Sequence, residues 1–583
     1  MKCCRLTSLL PEVALLLLFV LLIRTGPMKT ETVINADAVG YYDYLPSLFI
    51  FHDFVRKSEP VRSNPGLYRR LEKEGVYVNY KGFKVDKYPV GTALLQWPFF
   101  CVAYLATPLD GNSGDGYQKP FQQAILLATL FYLFLGIFFL RKVLELYNIG
   151  KPVILLSQFL MVLATPVTVY ANQDAGFSHI YSLFALNAFF YFTRSFFTRN
   201  RTKDFLWATL FLGLILLLRQ INVLAILFVP FLAGSFNNLK KGLQGLFSRP
   251  GLLLTGLAVA TGVFLIQCLA WYLQTGHFLL YSYQGEGFHF LHPQFVNILF
   301  SYKKGLFVYT PVLFFALFGL VLLARRRNYY LVFTWLAFFL FITYVFSSWH
   351  SWEYGASYGS RVYIDYYGVF FILFALLING ISGALRAGVI LLSVLTVPVN
   401  LIQSYQYKTY ILHWTNMDKE KYWKVFLKTD KRFEGVLWKK PCDPRRYTVM
   451  KKVNVGDITG SAKSKFQFIY KTRSSAIPGF EKVNLIRISF FNRFSENNRA
   501  KIIVTIKDAA TGKLQYWYDP YLIRFADKRF GQWQKGTLNY YFKPVSDNRE
   551  KIITVELFSE KKKRNTLKDF EIDFLAERKN RNR

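Results

Sequence analysis

The residues best equipped for chemistry are carboxylates and cations that lie between long apolar runs. Asp37, in NADAVGYYDYLPSLF, stands just beyond the first such run, with Asp43 six positions later. A carboxylate is expensive to place near lipid and so asks for a functional reason; suitably held, it takes the proton from an attacking hydroxyl. Asp53, Asp86 and Lys87 follow, the lysine directly before Tyr88 and Pro89. Three later segments repeat the theme: NQDAGFSH carries Asp174 and His179, YSYQGEGFHFLHP carries Glu286, His289 and His292, and SSWHSWEYGASYGSR carries His350, Glu353 and Arg361. Arg219 closes GLILLLRQIN, and Lys303 and Lys304 pair in SYKKGLFVYTP. Cations at such positions hold a phosphate through charge-assisted hydrogen bonds; singly, each also fits a side chain snorkelling to headgroups. Their recurrence points to one shared anionic ligand.

The elements that must position these groups are mostly membrane helices. Hydrophobic residues make up 52% of the 583 and aromatics 18%, mean hydropathy is +0.21, and yet 19% of the chain is charged. Apolar runs long enough to cross a bilayer fall at 8–25, 120–140, 152–171, 179–196, 204–219, 221–235, 251–272, 306–324, 329–347, 363–380 and 386–403, about eleven helices. A further stretch, YPVGTALLQWPFFCVAYLA at 88–106, is broken by Pro89, Gly91 and Pro98. If it only dips in or lies at the interface, Arg141, Lys142, Arg194, Arg199, Arg201, Lys203 and Arg325 to Arg327 join Lys2 and Arg5 on the cytoplasmic side, as the positive-inside rule expects. The N-terminus is then inside, with the first run an anchor rather than a cleaved leader. Residues 26–119 form one large outer loop with interfacial helices, and the aromatics beside Asp43 face lipid. All seven histidines fall outside, a bias that interfacial preference explains in part.

After residue 403 the composition turns polar. An aromatic amphipathic connector, 404–444, precedes a region from 445 to 583 where KFQFIYKT, NLIRISFF, AKIIVTIKD, LQYWYDPYL, TLNYYFKP, KIITVELFS and DFEIDFLA alternate apolar and polar residues. This predicts an outer β-sandwich, jelly-roll-like. Much of the +36 net charge sits here, drawing the domain to anionic headgroups or acidic glycans, and Trp517 and Trp533 either stack on sugars or fill the core.

The acidic first loop, KYPVGTALLQWPFF, NQDAGFSH and WEYGASYGSR together resemble the GT-C superfamily of membrane glycosyltransferases. The likeness covers residues 8–403 and is nearest the branch of protein O-mannosyltransferases and lipid A aminoarabinose transferases, in particular bacterial members with a C-terminal sandwich. It implies inverting transfer of a sugar from a polyprenyl-phosphate donor to a hydroxyl of a glycan, lipid or protein acceptor, outside a bacterial inner membrane. Asp37 matches the catalytic base, with Asp43 as runner-up, and Lys87 matches a lysine that contacts the donor phosphate, with Arg361 second. Tyr88, Asp174, His179, Arg219, Glu286, His289, Lys303, Lys304 and Glu353 complete the candidate substrate contacts. Related sequences often carry two adjacent acids in this loop, whereas Asp37 is flanked by alanines.

No metal ligand set is signalled: the first loop has no DxD, and the histidines are scattered, so a divalent metal is open but unsupported. A phosphate loop is absent, five dispersed cysteines imply no disulfide framework, and topology argues against nucleic acid. Two other classes compete. A transporter or flippase of lipid-linked glycans calls for intramembrane charges or paired broken helices, and a ligase calls for a long late outer loop; here charge gathers at one face and the longest loop comes first.

Overall fold

The computed structural model describes residues 9–54, 75–107, 114–438, 443–460, 466–493, 500–512, 514–520, 522, 531–544, 549–559 and 565–578. Lys2, Arg5, Cys3, Cys4 and Cys442 lie outside them. The chain divides into two compact units: Met1–Lys408 with Trp414–Trp423, and Thr409–His413 with Lys424–Arg583.

The first unit is helical, since in lipid a helix satisfies every backbone N–H and C=O internally. Among the described residues five helices are long and apolar enough to cross a membrane: Lys119–Glu145, Pro250–Thr275, Tyr329–Ser347, Arg361–Gly380 and Gly383–Lys408. A sixth is counted if Gln220–Ala233 and Phe236–Phe247, bent by 118°, make one broken span. By length and composition this is fewer than the eleven expected, and breaks within the apolar runs account for much of the difference. The run at 152–171 splits around Pro166 into Lys151–Leu163 and Val167–Tyr170, and that at 306–324 splits at Pro311 into Leu306–Tyr309 and Val312–Arg325. The run at 221–235 is a 3-10 helix, Gln220–Phe228, continued by Val229–Ala233. The first run leaves α geometry at Val20–Arg24. The proline-broken stretch forms Gly91–Ala106, whose 16 residues reach about 24 Å, short of a hydrocarbon core of ~30 Å.

The aromatics beside Asp43 do not face lipid. In the helix Asp37–Phe49, Tyr42 and Tyr44 are fully buried against Phe100, Tyr117 and Phe121. Tyr42 meets Phe100 and Tyr117 edge-on and donates its O–H to the Gly116 carbonyl at 2.5 Å. Full burial of such a ring stabilises by about 1.5–3 kcal/mol, and with its hydroxyl satisfied this outweighs any preference for the interface. Downstream, β1 (Tyr77–Tyr80) and β2 (Phe83–Asp86) form an antiparallel hairpin whose turn, Lys81–Gly82, has positive φ at both residues, the geometry that suits the twist of two-residue hairpins.

The second unit carries β3 (Tyr447–Thr459), β4 (Phe466–Arg473), β5 (Val483–Arg493), β6 (Lys501–Asp508), β7 (Leu514–Tyr518), β8 (Trp533–Tyr541), β9 (Lys551–Phe558) and β10 (Thr566–Glu577). They form two antiparallel sheets, ordered β3-β10-β5-β8 and β4-β9-β6-β7. Inward residues of both, among them Ile486, Ile488, Val504, Val555 and Ile572, share one apolar core, as in a double-sheet jelly roll. Trp533 is not in that core: it lies 44% exposed under the Lys568 ammonium.

Candidate functional site

Asp37 opens its helix, but its carboxylate does not cap it. Oδ2 pairs with Arg361 Nη1 at 2.7 Å, and Oδ1 accepts the Tyr88 hydroxyl at 3.0 Å. The side chain keeps 28% of its surface exposed, whereas Arg361 keeps 14% and lies over the Phe177 ring. Burial alone pushes the Asp37 carboxyl up, but Arg361, the Tyr88 hydrogen bond and Lys87 together hold it below the usual carboxylate range. It is therefore ionised, oriented and reachable.

Two close approaches of backbone deliver Tyr88. A Cβ on Gly40 would sit 2.0 Å from the Tyr88 ring, so the ring lies directly on the helix that bears Asp37. A Cβ on Gly91 would lie 2.4 Å from the Leu217 carbonyl, and this contact seats the Lys87–Tyr88 segment beside the end of the helix that precedes Arg219. Asp86 Oδ1 accepts the Tyr88 backbone N–H at 2.9 Å, which fixes the turn between them.

Lys87 is only loosely held. Its ammonium is 3.4 Å from Glu286 and rests against the rings of Tyr88 and Tyr283. Arg219 and His179 meet through a residue absent from the sequence-based candidates, Asp365. His179 Nδ1 lies 2.7 Å from Asp365 Oδ1, and Arg219 Nη1 and Asn222 Nδ2 donate to Oδ2 at 2.8 and 2.7 Å. The signal for Asp365 was present: a carboxylate inside the apolar run of RVYIDYYGVFF, where charge is costly and marks function.

The other candidates sit in different surroundings. Asp43 is buried, its oxygens accepting the hydroxyls of Ser47, Tyr77 and Tyr117 at 3.1, 2.5 and 3.1 Å. Asp174 is buried in its loop with Oδ2 unbonded among the described residues, and burial pushes its carboxyl up to about 7 against the pull of Arg361. Lys303 pairs with Glu353 at 2.7 Å. Lys304 is buried and donates to the carbonyls of Ser357 and Trp414; burial, with Arg361 and Lys303 adding repulsion, pushes its ammonium well below the usual lysine range. His289 is exposed, and its backbone N–H joins the Ser348 carbonyl at 2.5 Å, part of a bridge between the two late loops. Among the described residues no group of three His, Cys, Asp or Glu side chains is arranged to hold a metal ion.

No known family and no curated protein matches this chain. Among solved structures it is similar to the archaeal oligosaccharyltransferase AglB from Archaeoglobus fulgidus in complex with an inhibitory peptide and a dolichol-phosphate, at 15% identity over 73% of this chain and 60% of that one, with a TM-score of 0.38. The apo form of the Archaeoglobus fulgidus oligosaccharyltransferase gives 14%, 73%, 60% and 0.40. The arabinosyltransferase EmbB from Mycobacterium smegmatis gives 9% identity over 97% of this chain and 64% of that one, with a TM-score of 0.37. The chain thus spans less than two thirds of the length of each.

Proposed function

We propose that this protein is a multi-pass membrane glycosyltransferase that moves a sugar from a polyprenyl-phosphate donor to an acceptor hydroxyl, with inversion, on the extracytoplasmic face of a bacterial inner membrane. The observation that carries the proposal is the Asp37 carboxylate: ionised, partly exposed, and aimed by Arg361 and Tyr88. Asp37 takes the acceptor proton as the hydroxyl oxygen bonds to the anomeric carbon and the bond to the phosphate oxygen breaks. The phosphate leaves as a stable anion and needs no acid. In-line displacement sets base and leaving group on opposite sides of the sugar, so Arg361, in contact with the base, is assigned to orienting it. Lys87, whose Glu286 contact is long, is assigned to the leaving phosphate, where charge develops. Asp43, closed in by three hydroxyls, is assigned to holding the helix.

The test is to supply the purified full chain with a panel of polyprenyl-phosphate sugars and follow loss of donor. Turnover that falls with Lys87→Ala, chiefly through donor affinity, supports the assignment. A chain that consumes none of the panel with any hydroxyl acceptor removes it. A periplasmic reporter fused after residue 403 tests the orientation separately, and a cytoplasmic signal there overturns it.

A further inference from the structure

Asp365 lies within the helix-forming run that begins at Arg361, wholly buried, and three donors converge on its carboxylate. Burying a carboxylate and a guanidinium costs several kcal/mol for each ion, and such a pair is often no more stabilising than apolar residues of the same size. Its presence therefore asks what the geometry does. Among the described residues the side-chain hydrogen bonds of Arg219 all run through Nη1, which faces Asp365 at 2.8 Å and lies 3.2 Å from His179 Nδ1. Among the described residues its Nε and Nη2 have no partner, yet neither is sealed from solvent. One edge of the planar fork is fixed and the other is open.

Arg219 itself lies beside the proposed site, since Gly91, just after Lys87 and Tyr88, packs on Leu217 and Leu218 immediately before it. Tyr41, Tyr283, Tyr354 and Tyr366 are among the phenols near this guanidinium. Tyr41 packs on Tyr88 with ring centres 4.8 Å apart, and Tyr283 lies against the Lys87 ammonium. The same short 3-10 turn, Arg361–Tyr366, thus carries both Arg361, which grips Asp37, and Asp365, which grips Arg219. Four residues apart at three per turn, the two side chains diverge by about 120°, enough to serve two different partners.

We infer that Asp365 is a positioning residue that holds one edge of Arg219 so that the other is presented, together with Lys87, as a second contact for the phosphate of a prenyl-linked donor. This rests on the proposed use of a lipid phosphate. A planar fork held at one edge loses little rotamer freedom on binding, which is where an arginine differs from a lysine at the same place.

The experiment is equilibrium binding of farnesyl phosphate to the full chain in detergent, by calorimetry. Wild type binds; Arg219→Gln and Asp365→Asn each weaken binding by ~10-fold, the range of one charge-assisted hydrogen bond. The double variant is no weaker than Arg219→Gln, because Asp365 acts only through Arg219. Arg219→Lys, which keeps the ion pair with Asp365 but has no second edge, loses as much as Arg219→Gln, whereas a purely structural charge pair would leave it near wild type. Should Asp365→Asn not fold, Arg219→Lys decides alone. Wild-type binding with Asp365→Asn unaffected, losses that multiply in the double variant, or near-normal binding by Arg219→Lys each overturn the inference and leave the lipid-phosphate reading standing. No binding of farnesyl phosphate by wild type overturns that reading and the inference with it.

Discussion

The start and the middle of the helix Asp37–Phe49 carry the same functional group in opposite environments. At the start, Asp37 faces a guanidinium and a phenol and keeps more than a quarter of its surface open. Six residues on, Asp43 is closed off behind three hydroxyls. A buried carboxylate that accepts three hydroxyls among the described residues ties Ser47, β1 and Tyr117 to one helix and is out of reach of a substrate. One held from two sides by a cation and a hydroxyl is oriented while remaining reachable. Availability, rather than residue type, separates a candidate base from a structural acid.

The contrast breaks most sharply under Asp→Asn exchange. Asp37→Asn removes the proton acceptor but keeps the shape, so turnover should fall by about 10²–10⁴-fold, with little change in thermal midpoint. Donor-consumption rates alongside a melting curve measure both, and full turnover by the variant would take Asp37 out of the reaction. Asp43→Asn should do the reverse. An amide facing three hydroxyls that now donate to the carboxyl oxygens loses about 1–3 kcal/mol of stability, while activity per folded molecule stays close to wild type. If Asp43→Asn proves as inactive as Asp37→Asn while melting normally, the two carboxylates have been assigned the wrong way round.

Tyr88→Phe sharpens the Asp37 end. It deletes the hydrogen bond to Oδ1 and nothing else of the ring packing on Gly40 and Tyr41. A bond to a charged acceptor of ~1.5 kcal/mol corresponds to about tenfold in rate, expected in kcat rather than KM because the hydroxyl acts on the base Asp37. Equal activity would mean that Arg361 alone aims the base.

A third carboxylate, Asp174, extends the comparison to pH. Burial raises its folded-state pKa to about 7, above the unfolded carboxyl value near ~4. The folded chain thus holds a proton the unfolded chain releases, and stability falls as pH rises from about 4 to about 7. Asp37, depressed in the folded state, works the other way: its contribution is present above the unfolded value and lost in acid as pH falls through the folded one. Thermal midpoints of wild type and Asp174→Asn across pH 4–8 separate the two. The variant should lose the decline toward neutrality, and parallel curves would show that Asp174 stays charged when buried.

Much of this architecture was legible without coordinates. Period-two alternation located seven of the eight described strands of the sandwich, while β3 was missed because YTVMKKVNVGDIT, mostly exposed or half-buried, buries too few residues to set a pattern. Apolar runs located the helices but not their breaks, since hydropathy is blind to the prolines and 3-10 turns that divide them. At the site, Asp37, Lys87, Tyr88 and Arg361 were identifiable as charged or polar groups at the edges of apolar runs. Asp365 is not legible in the same way because it lies past the edge, inside the run, and its partners Arg219 and His179 are far from it in sequence. Which side chains pair is a property of packing, to which spacing along the chain is silent.

The smallest expected effect concerns the residue just before the base. Ala36 has φ 47° and ψ −130°, a left-handed conformation that a Cβ resists, and the helix that begins at Asp37 has no side-chain cap to offset it. Such a residue costs of order 1 kcal/mol and persists only where its surroundings over-determine it. Ala36→Gly relieves the strain but lets the unfolded chain sample more states, an opposing term of about 0.4–1 kcal/mol. The net is a thermal midpoint raised slightly or unchanged. Activity distinguishes two uses of the strain: if it only lets the chain turn into the helix, Ala36→Gly keeps wild-type turnover, and if it holds the Asp37 carboxylate against Arg361, the looser glycine lowers kcat severalfold at unchanged stability. The direct ion pair at 2.7 Å and the Tyr88 bond already fix that carboxylate from the side-chain end, so the expected outcome is unchanged turnover.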